Sequence, residues 1–362
     1  MHERSCHLYP APTLRACDTT VNLSIGRNEN YRFLGNSGLR VSVISLGGWL
    51  THGGHSEDDI ALKTIKLAYD RGVNFFDSAE GYAGGRAEML LGKAVKTFGW
   101  DRDDLVISTK IYWGEREDGS KGINDIGPLA QACSRGMRKS LKRLQLDYVD
   151  LVYAHRPDRH TPMEEVVRAF NYLINSGQAH YWGTSEWTAE EIQDAWRVAD
   201  KLNLIGPVME QPQYHMLHRE RVEVEYSGLY RKHGLGLTVF SPLMRGVLTG
   251  KYTNGIPEDS RANKSGADWF RQQVVNGKPI LERVARLEPI ATKIGATTGQ
   301  LALAWVVKNP RVSSAIIGAT SEKQVIENID ALKFVDKLTP EILEEIEGVL
   351  ENKPTQLPMR FT

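Results

Sequence analysis

The chain has 362 residues, with 45 lysines and arginines against 45 aspartates and glutamates, and 41% of its residues are apolar. These values are typical of a globular protein with a large core, and a formal net charge of zero argues against nucleic acid or an acidic membrane as a partner. No apolar run approaches the roughly 18 residues of a membrane span, so we expect no membrane insertion.

The cysteines indicate the compartment. The chain has only three cysteines, which are Cys6, Cys17 and Cys133. A small, odd number of cysteines without CxxC spacing is typical of a reducing environment. We therefore expect a cytoplasmic protein.

The first 30 residues differ from the rest of the chain. They lack the continuous apolar segment of a signal peptide, and their arginines leave a weak organellar presequence as an alternative, against which Glu3 and Asp18 argue. We interpret residues 1–30 as a flexible N-terminal arm and residues 31–362 as a single domain, because no linker or low-complexity segment divides them.

From residue 40 onward, short apolar runs alternate with longer stretches of helical spacing, which is the pattern of repeated strand–helix units. Eight runs predict strands, at 41–48, 73–79, 105–110, 148–155, 179–185, 208–214, 236–242 and 313–319. The stretches of helical spacing are 56–71, 86–98, 128–144, 162–176, 188–202, 219–233, 280–294 and 297–308.

Near-continuous apolar strands separated by helices predict a parallel sheet covered on both faces. Eight such units favour an α/β fold of the closed (β/α)8 type, a TIM barrel, over an open doubly wound sheet. The open sheet usually has a GxGxxG turn after its first strand, whereas this chain has GGWLTHGG at 47–54. Two inserts, 112–127 and 243–312, are long enough to suggest function.

Polar and glycine residues follow the predicted strands at the end that forms the functional mouth of a TIM barrel. They are Gly48 with Trp49, Asp77, Lys110, His155, Ser185, Gln211, Ser241, and Gly318 with Thr320. Tyr82 follows Asp77 in the next loop. Singly, these residues have ordinary explanations: a turn cap for Asp77, solvent contact for Lys110, a core histidine at 155 and packing for Tyr82. Their joint occurrence favours one shared site.

The four titratable residues at this mouth suit one reaction. A phenol with a pKa near 10 is a poor acid at neutral pH unless a cation stabilises the phenolate. Lys110 would supply that cation, Asp77 would hold the lysine, and His155 would orient a substrate carbonyl. Such a set donates a proton to a developing alkoxide, and it lacks the Ser–His or Cys–His pair of acyl transfer.

Reduction of a carbonyl also needs a hydride source, which proteins take from a cofactor. The strand, glycine turn and helix start in IIGATSEKQVIEN at 316–328 would suit a phosphate. Lys251 and Arg261 flank a glycine-rich loop and would reach anionic groups, although a solvated loop is the alternative. Two histidine pairs, in HGGH at 52–55 and HMLH at 215–218, lack a third ligand, and we expect no metal.

Six motifs in chain order together resemble the aldo-keto reductase superfamily, over about residues 31–355. The likeness is to the branch that contains the β subunits of voltage-gated potassium channels and their microbial and plant relatives. The motifs are FFDSAEGYAGGRAEMLLG, LVISTK, YVDLVYAHRPD, YWGTSEW, EQPQYHML and IIGATSEKQVIENI.

The resemblance implies a role for each matching residue. Tyr82 would be the proton donor, tuned by Lys110 and Asp77, with His155 orienting the carbonyl. It implies NADP(H), as NADPH or NADP+, lying across the barrel mouth, with the nicotinamide near Phe240, Ser185 and Gln211. The pyrophosphate would lie along Ser241, Pro242, Leu243, Met244, Arg245 and Lys251. Arg261, Thr320 and Gln324 would hold the 2′-phosphate, Glu327 and Asn328 the adenine, and Gly48, Trp49 and Trp113 would border the nicotinamide and substrate pocket.

Three positions depart from the channel subunits, which have asparagine at the position of His155, arginine at Glu186 and tryptophan at Phe240. These departures favour an NADPH-dependent reductase of aldehydes, with ketones as a further class, acting on a small-molecule carbonyl substrate. Two alternatives stay open: an NADP(H)-sensing accessory subunit that binds a channel's cytoplasmic domain, and an aryl-alcohol dehydrogenase working in the oxidative direction. The branch also permits a homo-tetramer.

Overall fold

The computed structural model describes residues 30–49, 52, 58–114, 120, 122–258, 260–263 and 267–355. The predicted N-terminal arm, apart from residue 30, lies outside the described residues, as does His55 of the first histidine pair.

Eight parallel strands close into a barrel, which confirms the predicted TIM-barrel fold. In the order β10-β3-β4-β5-β6-β7-β8-β9, each strand pairs in parallel with both neighbours. The strands are β3 Ile44–Gly47, β4 Phe75–Asp77, β5 Val106–Ile111, β6 Val149–Ala154, β7 Ala179–Ser185, β8 Met209–Gln211, β9 Gly236–Phe240 and β10 Val312–Ile317. Side chains fill the inside of the barrel and helices cover its outside, so apolar residues on both faces of these strands are buried.

The first predicted strand, 41–48, is wrong as one element. Its beginning forms β2, Arg40–Ser42, which pairs antiparallel with β1, Tyr31–Phe33, while its end forms β3 of the barrel. The hairpin contributes Leu34 and Val41, both fully buried, to the cluster of side chains inside the barrel. It therefore fills the end of the barrel opposite the mouth.

Twelve helices are found in the described residues. They are α1 Asp58–Asp70, α2 Arg86–Phe98, α3 Ala130–Leu144, α4 Met163–Asn175, α5 Ala189–Leu202, α6 Ser227–His233, α7 Asp268–Val275, α8 Lys278–Ala285, α9 Glu288–Ile294, α10 Thr298–Lys308, α11 Glu322–Asp330 and α12 Pro340–Leu350. None of them combines the length and apolarity needed to span a bilayer.

Two predicted helices are interrupted. The stretch 219–233 begins as a π-helical turn, Arg221–Glu225, before α6. The stretch 280–294 is two helices, α8 and α9, and α9 begins with a proline in its first turn. Proline has no N–H and clashes with the preceding turn, so Pro289 ends one helix and starts the next.

Candidate active site

A cavity of about 1330 Å³ lies at the carboxyl ends of the barrel strands. That volume exceeds the roughly 300–1,000 Å³ of most small-ligand pockets, so it has room for a dinucleotide and a substrate. It is lined by Trp49, Asp77, Tyr82, Trp113, His155, Ser185, Gln211, Phe240, Ser241, Pro242, Leu243, Arg245, Lys251, Arg261, Gly318, Thr320, Gln324, Glu327 and Asn328. Nineteen of the residues chosen from the sequence thus meet in one place.

Three chosen residues do not line the cavity: Gly48, Lys110 and Met244. Lys110 is fully buried beneath it. The side chain of Met244 is buried in the core, and its N–H donates to the carbonyl of Ser241 at 2.8 Å. Gly48 lies below the cavity floor, where an added Cβ would come 3.2 Å from His52 Nδ1.

The floor of the cavity is built on a buried ion pair between neighbouring strands. Lys110 Nζ of β5 donates to Asp77 Oδ2 of β4 at 2.5 Å, and both side chains are almost fully buried. Asp77 Oδ1 accepts from Ser108 Oγ at 2.7 Å and from Gln211 Nε2 at 3.1 Å. Lys110 also donates to the carbonyl of Ser78 at 2.7 Å. Both charges are therefore held by several partners, as burial of an ion pair requires.

Tyr82 stands above this pair, in a 3-10 turn directly after β4. Lys110 Nζ lies 4.7 Å from the centre of its ring. Burial raises the pKa of the Tyr82 hydroxyl, and although the charge of Lys110 lowers it, the net pKa stays above its usual value. From the sequence, Lys110 is expected to lower the pKa of Tyr82, but burial raises this pKa by more. The phenol is therefore fully protonated at neutral pH, the form that can donate a proton.

His155 faces Tyr82 across the floor. The two ring centres are 5.8 Å apart at an angle of 72°, and the ring centre of Trp113 lies 6.3 Å from that of the imidazole. Burial, with the charges of Lys110 and Arg156, lowers the pKa of His155 well below its usual value, so the ring is neutral. Its Nδ1 is buried without a partner in the described part of the chain. We therefore assign the proton to Nε2, where it can be donated into the cavity.

Two polar side chains at the next strand ends are held by hydrogen bonds. Ser185 Oγ donates to the carbonyl of Gln211 at 2.9 Å and accepts from Arg156 Nη1 at 3.1 Å. Gln211 is oriented by its bond to Asp77. This part of the wall can bind a planar amide through fixed donors and acceptors.

The loop after β9 has an unusual backbone. Ser241, Met244, Arg245 and Gly246 have φ values of 53°, 47°, 56° and 96°. A left-handed conformation costs a non-glycine residue roughly 1–2 kcal/mol, and such strain concentrates at ligand sites. Alternating backbone of this kind also turns N–H groups into a concavity that binds anions.

Two arginines beside this loop carry charge without an acidic partner in the part of the chain that the structure describes. Arg245 and Arg261 form no ion pair with a carboxylate among the described residues, and burial lowers the pKa of both. Arg245 Nε and Ser260 Oγ are buried and unpaired there. The guanidinium of Arg261 lies 5.6 Å from the ring centre of Trp49, which joins two loops across the cavity. An anion such as phosphate would neutralise this end of the cavity.

Strand β10 and helix α11 form the rest of the cavity end that contains Arg245 and Arg261. Ser321 caps α11 by accepting from the N–H of Gln324 at 3.3 Å, and the side chain of Gln324 accepts from the N–H of Thr320 at 2.9 Å. Glu327 accepts from Thr297 at 2.9 Å. Thr320, just before the N-cap, and Gln324, in the first turn, thus both lie at the N-terminus of α11, which favours anions.

Sequence reasoning missed several cavity residues. Arg156 and Glu186 directly follow the strand-end residues His155 and Ser185, and that position was the signal that could have found them. The full set that was missed is Gly47, Ile60, Gly81, Arg156, Glu186, Gln213, Gly246, Thr249, Pro257, Ser260, Gly299, Ile316 and Ile317. Within the described residues, no group of three or more His, Cys, Asp or Glu side chains is arranged to hold a metal.

Comparisons with known proteins identify the family. The family model described as "Aldo/keto reductase family" matches residues 43–351. A relative from Arabidopsis thaliana, described as "Probable voltage-gated potassium channel subunit beta", is 49% identical over 326 residues, which cover 90% of this chain and 97% of the relative. A rice (Oryza sativa subsp. japonica) relative with the same description has the same identity and coverage. A "Putative voltage-gated potassium channel subunit beta" from Schizosaccharomyces pombe is 49% identical over 336 residues, which are 92% of this chain and 97% of the relative.

These relatives match the branch that the sequence motifs resemble. Because the family model covers well over half of the chain, and the relatives align over nearly their whole length, the chain belongs to the aldo/keto reductase family and is an NAD(P)-dependent oxidoreductase.

Proposed function

We propose that this protein is an NADPH-dependent carbonyl reductase that converts aldehydes, and ketones as a second class, to alcohols. The observation that carries the proposal is the buried Asp77–Lys110 pair beneath Tyr82, with the neutral His155 ring 5.8 Å from the phenol ring. A protonated phenol and a neutral imidazole are both hydrogen-bond donors, which suits a carbonyl oxygen bound between them.

The chain's own groups bind the carbonyl and supply its proton. The Nε2–H of His155 and the hydroxyl of Tyr82 both donate to the substrate oxygen, which orients the carbonyl carbon toward the cavity. When bound, NADPH supplies the hydride. As negative charge develops on the oxygen, Tyr82 gives up its proton, and the charge of Lys110, whose Nζ lies 4.7 Å from the centre of the Tyr82 ring, stabilises the phenolate. Asp77 keeps the lysine in position and charged. Burial lowers the pKa of Lys110, but Asp77 and Tyr82 raise it by more, so that the net pKa lies above its usual value.

The other end of the cavity fits the cofactor. Ser185 and Gln211 suit the nicotinamide carboxamide, and the ring of Phe240 lines the wall beside them. The strained loop from Ser241 to Gly246 suits the pyrophosphate, as does Lys251. Arg261, with Thr320 and Gln324, suits the 2′-phosphate that distinguishes NADPH from NADH. Glu327 and Asn328 suit the adenine.

The protonation of Tyr82 affects the pH at which each direction of the reaction is fast, whereas the cellular ratio of NADPH to NADP+ decides the direction. The raised pKa of the phenol keeps a proton donor ready at neutral pH, which favours reduction. An alcohol dehydrogenase would need the phenolate as a base, and therefore a more alkaline solution. The same residues serve both directions, so oxidation of aryl alcohols stays the alternative where NADP+ is in excess over NADPH.

A second candidate function comes from the relatives, whose printed descriptions name a channel β subunit. In that role the chain would bind a channel's cytoplasmic domain, as a homo-tetramer in the cytoplasm, and would sense NADP(H) with slow chemistry. His155 favours the first function, because a neutral N–H donor at that place serves a substrate carbonyl.

The test is the stoichiometry of the reaction. The purified full chain is mixed with NADPH and 4-nitrobenzaldehyde, and the NADPH consumed is compared with the alcohol formed, with NADH as the parallel cofactor. We expect one alcohol per NADPH over many turnovers and slower turnover with NADH. Tight NADPH binding without alcohol formation would overturn the reductase and favour the sensing function.

A further inference from the structure

Arg156 is a charged residue of the cavity that the reaction described above does not use. It follows His155 at the end of β6, is half-buried and lines the same cavity as Tyr82 and Trp113. Its charge reaches the reacting groups, since it contributes to the lowered pKa of His155 and acts on the pKa of Tyr82. The guanidinium therefore lies in the cavity, close enough to the reacting groups for its charge to act on them.

The side chain is fixed through one nitrogen only. Arg156 Nη1 donates to the carbonyl of His155 at 2.5 Å and to Ser185 Oγ at 3.1 Å, which uses both of its hydrogens. The edge formed by Nε and Nη2 has no hydrogen-bond partner in the described part of the chain. That edge carries two parallel N–H groups, the fork that binds a carboxylate with two hydrogen bonds.

Within the described ranges, no acidic side chain is paired with this charge. Arg156 forms no ion pair with a carboxylate among the residues that the structure describes. Glu186 lines the same cavity, but its Oε1 accepts from the N–H of Gln213 at 2.7 Å and its Oε2 lies 3.4 Å from Arg221 Nη1. Its charge is thus directed to the wall, and Arg156 stays positive beside the substrate.

We infer that Arg156 makes the site selective for carbonyl substrates that carry a carboxylate, which it binds through its Nε–Nη2 edge. The inference rests on the proposed reductase function and names its substrate class. A rigid, half-buried guanidinium that is already oriented loses little freedom on binding, so the carboxylate gains affinity while the aldehyde is held at Tyr82 and His155. A neutral aldehyde of the same shape leaves the charge without a partner.

The test compares acids with their matched neutral esters. The substrates are 3- and 4-carboxybenzaldehyde and their methyl esters, and the two isomers vary the distance between the carbonyl and the carboxylate. The measured quantity is the ratio of kcat/KM for the acid to kcat/KM for its ester. We expect at least one acid to be preferred, and the Arg156→Gln variant to lower that ratio by about 10- to 100-fold, as loss of hydrogen bonds to a charged group does.

Two further variants serve as controls. Arg159→Gln removes an exposed arginine three residues along, which is paired with Glu191, and should leave the ratio unchanged. Arg156→Lys keeps the positive charge but lacks the two parallel N–H groups, so it should give an intermediate ratio of kcat/KM. It also serves as the test variant if Arg156→Gln folds poorly.

The outcomes separate this inference from the proposed function. If the aldehydes are reduced but no acid is preferred, or if the ratio is the same in Arg156→Gln, the inference is overturned and the reductase stands. If no aldehyde is reduced, the reductase fails, and calorimetric binding of 4-(hydroxymethyl)benzoate against its methyl ester decides the inference. Equal affinities, or an acid preference that survives Arg156→Gln, would contradict it.

Discussion

The two ends of the cavity are built by opposite means. At the substrate end, Asp77 and Lys110 lie on adjacent strands, fully buried, and each charge has several partners. At the other end, Arg245 and Arg261 lie on loops, and neither forms an ion pair within the described residues. The first end is organised before any ligand binds, because its electrostatics must be fixed for the reaction. The second end would be completed by the anion that we propose it binds.

The comparison predicts that substitutions at the substrate end lower both kcat and the free energy of unfolding, and that these effects are the largest. Lys110→Met should lower kcat by about 10²–10⁴-fold, the usual worth of acid–base catalysis, since the Tyr82 phenolate loses its cation. It should also lower the free energy of unfolding by about 3–5 kcal/mol, because Asp77 is left buried and charged. Denaturant unfolding and steady-state kinetics measure the two effects.

A double variant separates the two effects. Adding Asp77→Asn to Lys110→Met removes the unpaired charge, so it should restore part of the stability and none of the activity. Recovery of activity in the double variant would contradict the role of Lys110.

At the end of the cavity that contains Arg245 and Arg261, the expected effect is on the affinity for NADPH. Arg261→Gln should raise the Kd of NADPH by about 10- to 100-fold, the loss expected of a charged hydrogen-bond partner, and should change the Kd of NADH much less. Fluorescence titration measures both constants. Arg286→Gln, which removes an arginine that does not line the cavity, is the matched control. An equal loss for both cofactors would place Arg261 away from the 2′-phosphate.

The raised pKa of Tyr82 predicts opposite pH profiles for the two directions. Reduction should hold its rate through neutral pH, while oxidation of an aryl alcohol should rise by up to about tenfold per pH unit until the phenol ionises. Initial rates in both directions over the same pH range test this. An oxidation rate that is flat from neutral to alkaline pH would exclude Tyr82 as the base.

A further prediction concerns the pH dependence of stability, through Glu210 of strand β8. Glu210, next to Gln211, is fully buried, and burial raises its pKa to about 8, although a hydrogen bond from Thr184 opposes the rise. Between about pH 4.5 and pH 8 the folded protein holds a proton that the unfolded chain has lost. Stability should therefore fall as pH rises through this window, by up to about 1.4 kcal/mol per pH unit from this group.

Glu210→Gln should flatten that slope, because the amide cannot ionise. Denaturant unfolding at several pH values measures it, and Glu190→Gln, on the exposed face of α5, should leave the slope unchanged. A slope that persists in Glu210→Gln would assign the titration to another group.

The same contrast between strands and loops explains which parts of the fold and of the site could be predicted from the sequence. The barrel strands and their polar ends were predictable because a parallel strand buried on both faces reads as an apolar run that stops at the mouth. Thus Asp77, Lys110 and His155 were found from position alone. The hairpin of β1 and β2 was missed because its strands have three residues each, although Gly35, with φ of 55°, marks its turn.

The loops were harder, since their conformation depends on tertiary contacts. Nothing in Ser241, Met244 or Arg245 signals a left-handed backbone, which glycine usually supplies. The complete burial of Lys110 was likewise not readable, because a lysine at a strand end more often reaches solvent. Arg156 was overlooked because it follows a more conspicuous histidine.

The central claim is that Tyr82 donates the proton, and Tyr82→Phe tests it most directly. The change removes one hydroxyl, and Tyr172→Phe, on an exposed face of α4, is the matched control. We predict that kcat for aldehyde reduction falls by about 10²–10⁴-fold in Tyr82→Phe alone, with the Kd of NADPH unchanged in both variants. A Tyr82→Phe protein that binds NADPH and keeps its kcat would contradict the account.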